Sequence, residues 1–137
     1  MSPLHFQMPH RLDAVDPMVM TLASEVDACL QGEARFRFEL AISEALTNLA
    51  LHAKTTATEA VVDVVLTLGD TGARVDIFDP TGAAAFDIRA HAKDLGEIAT
   101  EHESGRGLGL IMDCADSVTY GPLEGRNRLC LTFQARD

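Results

Sequence analysis

Basic residues are scarce in this chain of 137: 11 Lys and Arg stand against 21 Asp and Glu, a formal net charge of -10. Neutralising a nucleic-acid backbone takes clustered Lys and Arg, so the balance argues against such a partner and for a basic or small-molecule one. Cysteine is sparse too. Cys29, Cys114 and Cys130 are odd in number, widely spaced and set among apolar residues, which excludes a disulfide framework and reads as buried thiols of a reducing compartment, the cytoplasm. There is no Cys-x-x-Cys, and no pair among His5, His10, His52, His91 and His102 has a convincing ligand spacing, which argues against a zinc site. No apolar run approaches about 18 residues, and the start, with Pro3, His5 and Pro9, lacks a basic segment followed by an apolar block. Neither membrane insertion nor export is expected. Internal repeats and low-complexity tracts are absent as well.

What remains is enough for one core: 47% of the residues are apolar, and the length is that of a single domain over 1–137. Leu4 to Met8 alternates apolar and polar residues and predicts a short edge strand closed by Pro9. Asp16-Pro17 supplies an N-cap and a first helical proline. Met18, Leu22, Val26, Cys29 and Leu30 then recur at helical spacing until Gly32. From Glu33 to about Lys54 there is no Gly or Pro, and Phe38, Ile42, Ala45, Leu46, Leu49 and Ala53 share one arc of a second helix. The period then changes from helical to alternating. Val61 to Leu68 and Arg74 to Phe78 predict a hairpin around Gly69-Asp70-Thr71-Gly72. Pro80 to Ser104 is irregular, with at most a short helix around Ile88 to Ile98. After it, Leu108, Ile111, Met112 and Ala115 mark a third helix, and Ser117 to Tyr120 and Arg128 to Phe133 two further strands around a Gly121 to Asn127 turn. The order predicts an α+β, two-layer sandwich, with helices on one face of a mixed, mostly antiparallel sheet.

Three places carry chemistry. Glu44, Asn48 and His52 recur at i, i+4 and i+8 on the edge of the second helix's apolar arc, beside the small Ala41 and Ala45. A carboxylate there can serve as a general base and an amide oxygen as a hard ligand for magnesium, although spacing alone fits a solvated polar stripe better. Asp79 sits at a strand-to-turn corner before Pro80-Thr81-Gly82, a position common for a structural Asp. Gly105, Gly107 and Gly109 alternate at the entrance to a helix, where missing side chains and free N–H groups suit a phosphate. The dinucleotide-binding fingerprint and the phosphate-loop Gly-Lys-Ser/Thr ending are both absent.

Phe38-Glu39-Leu40-Ala41-Ile42-Ser43-Glu44-Ala45-Leu46-Thr47-Asn48 through His52-Ala53, then Asp79, then Ser104-Gly105-Arg106-Gly107-Leu108-Gly109-Leu110, resembles the GHKL ATPase/kinase superfamily. Within it the chain looks most like the bacterial anti-sigma-factor serine/threonine kinases. The resemblance spans nearly the whole chain. It implies ATP and Mg2+ as cofactors, Glu44 as the carboxylate that accepts the proton of a protein hydroxyl, and Asn48 as the magnesium ligand. It further implies Asp79 as the acceptor for the adenine amino group, and Gly105, Arg106, Gly107, Leu108 and Gly109, with Leu110 closing the motif, as the phosphate cradle. Ala83 to Glu103 corresponds to the lid over the nucleotide, and Thr132 to an adenine-side hydroxyl. Implied partners are a sigma factor, an anti-anti-sigma antagonist that becomes phosphorylated, and a second copy in a homodimer. A catalytic domain of a histidine kinase fits less well, because the chain has no room for a phosphoacceptor helix pair. One position departs from the pattern: Thr81 stands where the family has the glycine of Asp-x-Gly. A β-branched residue resists positive φ, so Gly82 takes the bend if the turn is displaced by one residue. A non-catalytic partner-binding module with the same fold is the alternative.

Overall fold

The computed structural model describes residues 3–52, 60–80, 103–123 and 126–135. Five strands, β1 (Leu4–Pro9), β2 (Val61–Leu68), β3 (Gly72–Phe78), β4 (Ser117–Leu123) and β5 (Arg126–Gln134), form one sheet in the order β1-β2-β3-β5-β4. All four pairings are antiparallel, so the parallel pair allowed for by a mixed sheet does not occur among the described residues. Among the described residues three α-helices, α1 (Val15–Val26), α2 (Gly32–His52) and α3 (Glu103–Cys114), complete the predicted α+β class.

Alternation decides which face of the sheet they cover. Val62, Val64 and Leu66 of β2, Val75 and Ile77 of β3, and Leu129, Leu131 and Phe133 of β5 are all buried. With Met8 they form one cluster with Val19, Leu22 and Val26 of α1, Phe38, Ile42, Ala45, Leu46 and Leu49 of α2, and Ile111 and Cys114 of α3. Phe38 meets Phe133 edge to face, ring centres 5.0 Å apart. Intervening residues occupy the other face, where Asp76 lies between Arg74 (3.2 Å) and Arg128 (3.4 Å) and Asp63 pairs with Arg126.

Boundaries differ from expectation in instructive ways. Helix α1 begins at Val15, after a 3-10 turn at Leu12–Ala14, and its N-cap is Ala14 without a side-chain bond. Asp16 and Pro17 therefore sit inside the first turn, where a missing proline N–H costs nothing because the first four donors have no helical partner anyway. The helix ends at Val26, six residues before Gly32. The N–H groups of Cys29 and Leu30 both close on the Val26 carbonyl, and Leu30 stays fully buried, so the apolar rhythm outlasts the helix. Gly32, at φ 58°, provides the backbone reversal into α2. At the hairpin, Gly69 N–H donates to Gly72 O at 2.8 Å, and a Cβ on Gly72 would collide with the Phe133 carbonyl of β5. Strands β4 and β5 run longer than expected because Gly121 pairs with Arg128 and Pro122 with Asn127. The short helix around 88–98, the segment 83–102 assigned to a lid, Gly82, Ala53 and Lys54 lie outside the described residues.

Phe38→Ala should lower unfolding free energy by about 3–5 kcal/mol, because it empties the contact between α2 and β5. Urea denaturation measures this; a loss below about 1 kcal/mol would mean the Phe38–Phe133 contact is not central to the core.

Candidate nucleotide site

Helix α2 lies between the other two helices, and its sides are told apart by their partners. Arg35 pairs with Asp27 at the end of α1, whereas Arg37 donates to the Cys114 carbonyl at 3.1 Å and lies 4.0 Å from Asp116, both at the end of α3. Arg37, Ala41, Glu44 and Asn48 succeed one another at steps of four, three and four, so they share the side that faces α3. Asn48 falls roughly 16 Å beyond Arg37 at 1.5 Å per residue, and α3, about 18 Å long, packs along α2 starting from the Arg37 end. Its glycine-bearing half is thereby carried toward Glu44 and Asn48.

Asn48 is 5% exposed, and its amide nitrogen donates to the Glu44 carbonyl at 2.9 Å. That bond uses the donor end of the amide and leaves the oxygen end as the group suited to a hard cation. Glu44 is half-buried at the boundary of the helix layer. One residue beyond Asn48, the Leu49 carbonyl accepts a bond from His10 Nε2 at 2.7 Å. His52 is the last described residue of α2.

The glycine run is not a turn preceding the helix: α3 begins at Glu103, so Gly105, Gly107 and Gly109 lie within its first two turns. Glu103 is the first described residue of α3, and the first turn of a helix is where N–H donors are left for a ligand, so Gly105 and Arg106 lie near that end. A side chain at Gly109 would meet no described atom within 4 Å, and its φ is ordinary, so neither crowding by described residues nor backbone geometry demands glycine there. Leu110 packs against the core cluster.

Asp79 follows β3 and is 4% exposed. It continues the alternation of Val75 and Ile77 onto the helix-bearing face, where Tyr120, paired with Leu129, donates its hydroxyl to Asp79 Oδ2 at 2.8 Å. The Asp79 N–H donates to the Asn127 carbonyl at 3.0 Å, and Arg126 Nε reaches the Asp79 carbonyl at 3.2 Å while its ring-facing side lies over Phe78. Thr132 is not brought to this place. It pairs with Arg74 and Ser117 on the opposite face of the sheet, its hydroxyl 2.5 Å from that of Ser117. The buried Leu131 and Phe133 on either side already imply that orientation through alternation. Tyr120 and Arg126 escaped the sequence reading because their significance lies in pairings between strands that no local pattern announces.

A cavity of about 710 Å³ opens at Gln31, Gly32, Glu33, Arg37, Asp113, Ala115 and Asp116, at the other end of α2 from Asn48. It is separate from the constellation above.

An α+β sandwich with an acid-amide pair on its central helix, a glycine-bearing helix packed beside it and a buried Asp at the end of a neighbouring strand defines a class of nucleotide-binding module. The family model of the histidine kinase-like ATPase domain matches residues 8–133, and the chain belongs to that family. It is an ATP-binding, kinase-like module of the GHKL superfamily. No curated protein is similar enough to count as a relative. No described helix is long and apolar enough to cross a membrane. The donor set fits the nucleotide: a buried carboxylate accepts from an amino group, an amide oxygen suits a hard cation, and N-terminal helix donors suit phosphate.

Burial pushes the Cys114 thiol up, against the pull of Arg37, and burial together with Asp76 pushes Cys130 up, against Arg74 and Arg128. A native value above the unfolded one contributes stability that is complete below the unfolded thiol value, about 8.5, and is lost as pH rises through the native value. Unfolding free energy should therefore fall with rising pH in the alkaline range, less steeply in Cys130→Ala; urea titrations across that range measure it, and a rise would contradict the assignment.

Proposed function

We propose that this chain is an ATP-dependent serine/threonine protein kinase that acts as an anti-sigma regulatory factor, sequestering a sigma factor and phosphorylating an anti-anti-sigma antagonist in the cytoplasm. What supports the kinase reading is that Glu44 and the buried Asn48 stand on the side of α2 turned toward α3, the helix that carries Gly105, Gly107 and Gly109. Family membership supports ATP as the nucleotide. Bound with magnesium, ATP supplies the γ-phosphoryl group. Asp79 selects the base by accepting from its amino group. Asn48 offers its oxygen to the cation, and the N–H groups opening α3 hold phosphate oxygens. Glu44 takes the proton from the incoming Ser or Thr hydroxyl.

Partner switching follows from mutually exclusive binding of the sigma factor and the antagonist, with phosphorylation returning the kinase to its sigma factor. A homodimer belongs to the same proposal. The excess of acid across the chain supports a partner that presents basic side chains. Thr81, in place of a glycine, favours a second reading in which the chain binds partners without efficient nucleotide handling; calorimetry with ATP and ADP separates the two, since that module shows partner binding and no nucleotide heat.

Glu44→Gln should cut phosphate transfer to the antagonist at least about 100-fold while leaving ATP affinity intact. Labelled ATP and purified antagonist measure the transfer, and a wild-type rate in the variant would remove Glu44 from the role of base. Asn48→Ala should abolish the magnesium dependence of ATP binding; binding that keeps its dependence would contradict the ligand assignment.

A further inference from the structure

Asp79 is fixed at three points that belong to three different chemical groups. Its N–H is held by the Asn127 carbonyl, its carbonyl by Arg126 and its carboxylate by Tyr120, whose hydroxyl lies 2.8 Å from Oδ2. Arg126 approaches from the open face of the sheet, where it also pairs with Asp63, reaches the Val61 carbonyl and covers Phe78. Tyr120 approaches from the helix face. The two contacts act on different bonds: Arg126 holds the peptide plane at the strand end, and Tyr120 sets the rotation of the carboxylate about its own side chain.

We infer that Tyr120 is a positioning residue for base recognition: its hydroxyl orients the Asp79 carboxylate toward the amino group of adenine and thereby sharpens the choice of adenine over guanine. This rests on the nucleotide reading proposed above. A carboxylate held by an O–H donor meets the amino group of adenine already aligned. Without the hydroxyl, the carboxylate must be ordered when ATP binds, which weakens ATP without strengthening GTP.

Tyr120→Phe keeps the ring between its neighbours and removes only the donor. Kd for ATP should rise about tenfold, as expected for one lost bond to a charged group, with Kd for GTP unchanged and kcat at saturating ATP preserved. Equal weakening of both nucleotides, or no change in either, overturns the inference. A second readout needs no variant. Tyr120 is the only tyrosine and there is no tryptophan, so the chain's intrinsic emission reports on this hydroxyl alone. ATP should change that emission and GTP at equal concentration should not; silence while calorimetry records ATP binding overturns the inference. Asp79→Ala distinguishes the two levels. If it binds ATP as the wild type does, the nucleotide reading itself fails; if it loses ATP while Tyr120→Phe does not, that reading stands and the role of Tyr120 falls.

Discussion

The burial of α2 against the sheet is the constraint on which everything else turns. Ala34, Phe38, Ala41, Ile42, Ala45, Leu46, Asn48 and Leu49 are all buried, an arc too broad for a helix resting on a single surface. It is met by the sheet below, α1 on one flank and α3 on the other. This central position leaves α2 a border toward α3 that is neither core nor solvent, and Glu44 and Asn48 stand on it. Small side chains at Ala41 and Ala45 keep that border from filling with apolar atoms.

The sheet's two faces divide the remaining labour. On the helix face, apolar side chains supply cohesion, and among the described strand residues it is at the end of β3 that a carboxylate enters the buried layer, accepting a bond from a tyrosine hydroxyl. On the other face, Arg74, Asp76, Arg128, Asp63 and Arg126 form alternating charge pairs across three neighbouring strands. Asp76 is buried and its neighbours are at most half exposed, so these are not the wholly solvated pairs that add little stability. Arg126 belongs to both faces in effect, because its guanidinium ties that charge lattice to the backbone of Asp79.

The legible parts of this chain were those written in local chemistry. Strand β2 could be read to the residue from its run of β-branched side chains, and the hairpin from Gly69-Asp70-Thr71-Gly72. Helix α2 was read to within one residue at its N-terminus because from Glu33 onward it lacks glycine and proline and keeps a wide apolar arc. The end of α1 was misjudged, since Cys29 and Leu30 serve the core from a turn as well as they would from a helix. The start of α3 was set too late, since glycine signals permissive backbone and does not by itself say whether a helix uses it. Thr132 was placed with Asp79 on resemblance, although the alternation of Leu131 and Phe133 puts it on the other face.

By itself the sequence determined periodicity, and hence the α+β class and the buried arcs, because each of these depends on neighbours within a few residues. Tertiary structure decided which groups meet: the order β1-β2-β3-β5-β4, the side of α2 that faces α3, and the seating of Tyr120 and Arg126 on Asp79 across 41 and 47 residues of chain. Such contacts arise from the packing of whole elements, whose register is a property of the entire core and of no single stretch of it.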